Sequence, residues 1–210
     1  MKTVAALFVN PEGAYAGLPD VEVWDAARDA RSYGGPHPVV AHPPCQRWGR
    51  YWHGTPNKPH QFDLGADQGC FAVALWAVRT FGGVLEHPAH SEAWDWYGIM
   101  PPLTGGWHRA DSFGGCTCSI EGHFGHLARK GTWLYAAHVE LPSLPWGRGA
   151  QRLPAGYVER VGYEKARRTG VMAAVGGKAK TQIREATPPE FRDLLLSIAR
   201  TSTRNVEAAA

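Results

Sequence analysis

The sequence predicts a single α/β domain in three layers: a mostly parallel sheet with helices on both faces. Three observations carry that expectation. Short β-branched apolar runs stop at proline, asparagine or acidic corners, as at Val39-Val40-Ala41-His42-Pro43-Pro44. A long helical pattern, about residues 64 to 81, lies between two such runs and is apolar over most of its circumference, which suits packing against a sheet. A second, amphipathic helix follows Thr187-Pro188-Pro189-Glu190 near the end. A chain of 210 residues can bury one such core.

Val4 to Val9 reads as a buried strand ended by Asn10-Pro11. The turn from Pro11 to Gly17 is where a sheet of this kind holds a nucleotide cofactor, so Phe8, Asn10 and Gly13 are candidate cofactor contacts. The glycine spacing there makes neither a G-x-G-x-x-G pattern nor a P-loop. Val21 to Asp25 is the second strand. Asp25 at its end suits a ribose hydroxyl, or equally a cap for the turn through Ala26 to Ala30. Gly34-Gly35-Pro36 breaks the chain before the third strand, Pro38 to Ala41.

Proline cannot continue a central ladder, and it holds the preceding residue extended. The chain is therefore stiff where it leaves the third strand, and Cys45 follows at that strand's carboxyl end. Open α/β sheets bind ligands along that edge, which makes the thiol a candidate nucleophile. An inert buried cysteine is the alternative. His42 is a candidate cofactor contact. Residues 46 to 59 then interleave basic and aromatic side chains (Arg47, Trp48, Arg50, Tyr51, Trp52, His53, Lys58), a pattern that grips phosphates and stacks a base, unless the aromatics fold back.

Asp63 is expected to cap the long helix and Gly82-Gly83 to end it, with Cys70 structural on it. Val84-Leu85 is the next short strand, running into a second polar corner, Glu86-His87-Pro88. Ser91 caps a turn from Glu92 to Tyr97, and residues 98 to 118 read as irregular. Cys116, Cys118, His123 and His126 admit a zinc reading, but the C-x-C is tight and looks like part of a strand, so no metal is expected. Arg129-Lys130 precede a strand from Thr132 to Ala137. The late helix runs from Phe191 to about Arg200 behind a capping box, and the tail from Thr201 is expected to fray.

Charge is unevenly placed. Between Arg160 and Arg184 there are seven basic residues and one acidic, a net +6, which leaves −3 for the rest of a chain whose total is +3. A basic insertion of about residues 148 to 184 within a domain of residues 1 to 200 is a phosphate-contacting feature or a solvated loop. The apolar start after Met1 is only about seven residues, short of a secretory signal, and no stretch approaches the roughly 20 residues of a spanning helix. A reducing cytoplasm, without a membrane, is expected.

Taken in order, these pieces resemble the DNA cytosine-C5 methyltransferases. Pro44-Cys45-Gln46 is similar to that family's Pro-Cys-Gln nucleophile motif, and Glu86-His87-Pro88 to its Glu-Asn-(Val/Pro) motif, 41 residues on with one helix between. Arg129-Lys130 falls where the family has a Gln-x-Arg-x-Arg element, and Arg184 to Glu190 resembles the segment opening its late helix. The chain looks like a small, phage-type, divergent member, acting in a bacterial host. The resemblance implies a Rossmann-like, methyltransferase-type sandwich and an S-adenosylmethionine-dependent transferase. It implies Cys45 as nucleophile at C6 of a flipped cytosine and Glu86 on the base edge. It places Pro44, Gln46, Arg47, Trp48, His87, Arg129 and Lys130 around a DNA or nucleotide substrate, and leaves room for a partner protein in target recognition. The departures are the missing glycine-rich loop near Phe8, histidine at position 87, and a short region between Lys130 and Thr187. Two other readings stay open: a non-catalytic nucleic-acid-binding relative, and a thiol- or metal-dependent hydrolase using Cys45 with His42 or His87.

Overall fold

The computed structural model describes residues 1–49, 52–54, 62–127, 130–149, 152–153, 155–170 and 186–204. Seven strands form one sheet: β1 Val4–Leu7, β2 Val21–Trp24, β3 Val39–Ala41, β4 Gly83–Pro88, β5 His108–Arg109, β6 Cys116–Glu121 and β7 Gly131–Ala137. Their spatial order is β2-β1-β3-β4-β7-β6-β5. The first four are parallel, whereas β7 runs antiparallel to β4, β6 to β7 and β5 to β6. The sheet is therefore mixed, and the expectation of a mostly parallel one holds only for its first half. The reason is connection length. Residues 110–115 and 122–130 join the last three strands, and a parallel crossover needs a dozen residues or more.

Helix α1, Cys70–Phe81, links β3 to β4 and covers one face, packing Phe71, Leu75, Val78 and Phe81 against Leu7, Val39, Ala41 and Leu85. The opposite face is covered by the last helix, Pro189–Arg200, whose Phe191, Leu195 and Ile198 meet Val4, Ala6, Val40 and Val84. Alternation along β1 and β3 feeds both layers, so those central strands are apolar throughout. Between them in sequence come α2, Glu92–Trp96, and two short helices, α3 Ala155–Val161 and α4 Tyr163–Thr169, which makes the last helix α5. Gly83 lies so close to β3 that a Cβ there would collide with the Val39 carbonyl, so glycine is required for the β3–β4 approach.

Several boundaries differ from expectation. Helix α1 starts at Cys70, because residues 63–69 wrap around Trp48 in turns. Gly65 donates to the Arg47 carbonyl, and Gly65, Gln68 and Gly69 all have positive φ. Asp67, not Asp63, receives the first helical amides, from Gly69 and Phe71. Strand β4 continues through Glu86, His87 and Pro88 because β7 pairs with that whole length. Before α5 no capping box forms. Pro188 takes the cap position, one residue past Thr187, and its carbonyl accepts from Phe191 and Arg192. Residues 201–204, the described part of the tail expected to fray, are held: Ser202 is buried, its hydroxyl donates to the Phe81 carbonyl, and Lys2 donates to the Ser202 carbonyl.

Strand order fixes where a ligand can sit. From β1 the chain goes to β2 on one side and to β3 on the other, so the order reverses between β1 and β3. The crevice outside the carboxyl ends of strands at such a reversal is the ligand site of open α/β sheets. No described helix is long and apolar enough to cross a membrane.

Candidate active site

A cleft of about 600 Å³ opens at that reversal. Its β1 side is formed by Phe8, Asn10, Gly13 and Tyr15. The β3 side brings His42, Pro44, Cys45 and Gln46, while Glu86 from β4 and Lys130 from the approach to β7 form the far wall. Ala186 and Thr187, leading into α5, also border it. The sequence alone placed Cys45 and Glu86 on neighbouring strand ends, and both reach this one cleft.

The corner forms as the prolines require. His42 still donates its amide to the Leu7 carbonyl, the last ladder bond between β3 and β1. Beyond Pro43-Pro44 the Cys45 carbonyl accepts from Trp48 and Gly49, so the thiol rides on a tight turn and is half-buried. One strand over, alternation separates Glu86 from His87. Glu86 faces the α5 side with the cleft. His87 faces the α1 side, fully buried against Phe71 and Trp94.

Glu86 is the centre of a four-residue chain. Lys130 Nζ donates to Oε1 at 3.1 Å, His42 Nδ1 lies 3.0 Å from Oε2, and His42 Nε2 lies 2.8 Å from the Tyr15 hydroxyl. Burial alone would raise the Glu86 pKa, but the Lys130 charge and the His42 hydrogen bond outweigh it and hold the carboxyl well below its usual range. Burial, with Glu86 adding to it, pushes Tyr15 up, so its phenol keeps the proton. With a neutral imidazole the chain has one polarity: Tyr15 donates to Nε2, and Nδ1–H donates to Glu86. Tyr15 went unnoticed in the sequence because a lone tyrosine in a turn carries no motif.

The chain matches no protein-family model, no curated protein and no solved structure. Its functional reading therefore rests on the residues themselves.

Several candidates stand elsewhere. Trp48 is not a surface stacking platform: its ring is buried in the core and its Nε1 donates to Asp67 at 2.8 Å. Arg47 stacks 3.3 Å over the Phe62 ring and does not border the cleft. His87 is on the other face, where burial lowers its pKa to about 4. Asp25 accepts from the Arg28 amide at 2.8 Å, the capping role, and is outside the cleft. Arg129, Arg50, Tyr51 and Lys58 lie outside the described residues, as do Lys178, Lys180 and Arg184.

The cleft has the volume for an adenosine-sized ligand. It does not offer S-adenosylmethionine a carboxylate for its ribose hydroxyls. Asp25, the acid at the β2 end, lies outside the cleft, and Glu86, the one carboxylate among the described lining residues, is held on the far wall by His42 and Lys130. The residues described do not fit that cofactor in full. No three described Cys, His, Asp or Glu side chains are grouped to hold a metal. Of the Cys116-to-His126 set, His123 donates to the Gly147 carbonyl, and buried His126 packs on Phe191 with its pKa pushed down to about 4.

Proposed function

We propose that the chain is a DNA pyrimidine-modifying transferase of a Rossmann-like, methyltransferase-type fold, in which Cys45 attacks C6 of a cytosine-like base. The observation that carries this reading is the meeting on one cleft of Cys45, from the turn after β3, and Glu86, from β4 just past its pairing with β3. Cytosine C5 is a poor nucleophile until a thiolate adds at C6. In that step the Sγ–C6 bond forms, the C5–C6 π pair shifts to C4–C5, the C4–N3 π pair moves onto N3, and N3 gains a proton as the thiol loses one. Lys130 Nζ donates to Glu86 Oε1; as Lys130 turns to N3 of the base, Oε1 is released to accept from cytosine's N4–H. The activated C5 then takes an electrophile, most simply a methyl group, after which the C5 proton leaves and the Cys45 thiolate is expelled from C6, restoring the C5–C6 double bond. S-adenosylmethionine as its source is supported by the resemblance alone, and a rise in melting temperature with that compound tests it.

DNA as the substrate is supported by where the basic insertion is tied. Arg152 donates to the Gly125 carbonyl at one end, and Ala186 and Thr187 border the cleft at the other. Between these anchors α4 exposes Lys165, Arg167 and Arg168. The hydrolase reading is disfavoured, since both ring nitrogens of His42 are already bonded and His87 is on the opposite face. Trapping of Cys45 on 5-fluorocytosine DNA tests the proposal, because once C5 has taken the electrophile, fluorine in place of its hydrogen blocks the elimination that would release Cys45.

A further inference from the structure

We infer that Tyr15 and His42 are a positioning pair for Glu86, fixing which way its carboxylate faces while Lys130 turns to the substrate. The two partners of Glu86 differ in kind. Lys130 is a flexible four-carbon stem whose side chain is 24% exposed, free to follow an incoming base. His42 is a rigid ring, 13% exposed, gripped at its far nitrogen by Tyr15, which is only 2% exposed. If Lys130 moves to the base, Oε2 still receives the His42 hydrogen bond and Glu86 keeps its place. Tyr15 is steadied in turn, since Arg192 of α5 donates to the neighbouring Ala14 carbonyl at 2.9 Å.

The charged and titratable groups facing this assembly come from every surrounding element. They are Tyr15 after β1, His42 and Cys45 after β3, Lys130 and His126 before β7, and Arg192 and Asp193 on α5. None but His42 and Lys130 hydrogen-bonds Glu86 among the described residues.

The inference rests on the proposed function only for what Glu86 does, so the test has two arms on the full chain. In the first, Glu86 is titrated by carboxyl ¹³C NMR in wild type, His42→Ala, His42→Asn and Tyr15→Phe, with Glu86→Gln to assign the signal. His42→Ala is expected to raise the Glu86 pKa by about one unit or more. His42→Asn, whose amide sits near the Nδ1 position, is expected to restore most of it, with Tyr15→Phe between. An unchanged titration in His42→Ala and Tyr15→Phe, or no recovery with asparagine, overturns the inference. In the second arm, exchange of the cytosine C5 hydrogen with solvent is followed against pH. His42→Ala is expected to slow it by about 10²-fold at neutral pH and move its acid limb upward, with asparagine rescuing it. If wild type exchanges nothing, the proposed function fails, while the titration still decides the role of His42.

Discussion

The Lys130 ammonium lies 3.1 Å from Oε1 of Glu86, joining the start of antiparallel β7 to the carboxyl end of parallel β4. This contact places a positive charge against the wall that the parallel strands supply. Lys130→Ala leaves a buried carboxylate with His42 alone. Because Lys130 is partly exposed, the expected loss is about 2 kcal/mol at pH 7, below the figure for fully buried pairs. Glu86 is a carboxylate with a depressed pKa, so its stabilisation is full above the unfolded value of about 4.3 and declines as pH falls below it. Urea titrations at several pH values should show the gap between variant and wild type narrowing only on the acid side.

Trp48 sits where a base-stacking residue was expected and instead fills the core. Trp48→Phe removes the donor to Asp67, whose other contacts start helix α1. A loss of about 1–3 kcal/mol in stability is expected, with DNA affinity unchanged when measured well below the melting temperature. A fall in affinity without a fall in stability would return Trp48 to the substrate side.

His87 gives the fold an acid sensitivity separate from the cleft. Its pKa is lowered by burial to about 4, so a neutral ring favours the folded state. As pH falls from about 6.5 toward 4, the unfolded chain takes the proton first and stability declines, by roughly 3 kcal/mol for a shift of this size. His126, lowered to about 4 by burial, acts in the same direction. His87→Phe is expected to flatten the stability profile across that window by about half, seen in chemical denaturation at pH 7, 5.5 and 4.5.

The contrast between these residues shows what the sequence could reveal. The Pro43-Pro44 corner was legible because proline acts locally, and the 41-residue step from Cys45 to Glu86 was legible because one helix must fit between adjacent parallel strands. His87 was misplaced because Glu86-His87-Pro88 reads as the end of a strand. Pairing with β7, invisible locally, continues the strand and turns adjacent residues to opposite faces. Asp67 rather than Asp63 starts α1 because Trp48 folds back onto that turn, a tertiary event between distant residues. The Tyr15–His42–Glu86 chain draws on three strands at separations of 27 and 44 residues, beyond any local pattern.

The exposed cations of α4 carry an electrostatic expectation. Replacing Arg167 and Arg168 with glutamine should weaken binding to DNA of any sequence and reduce the slope of log affinity against log salt by about 2. Thermal stability should stay within about 0.5 kcal/mol of wild type, because both side chains are exposed. A slope unchanged by the double replacement would place the DNA elsewhere.

The most direct measurement is mass spectrometry of the chain after incubation with 5-fluorocytosine DNA, with and without S-adenosylmethionine. A covalent protein–DNA adduct mapped to Cys45, absent in Cys45→Ser and reduced about 10²-fold or more in rate by Glu86→Gln, is the expected result. An adduct at another residue, or none in either condition while C5-hydrogen exchange is also absent, would contradict the account.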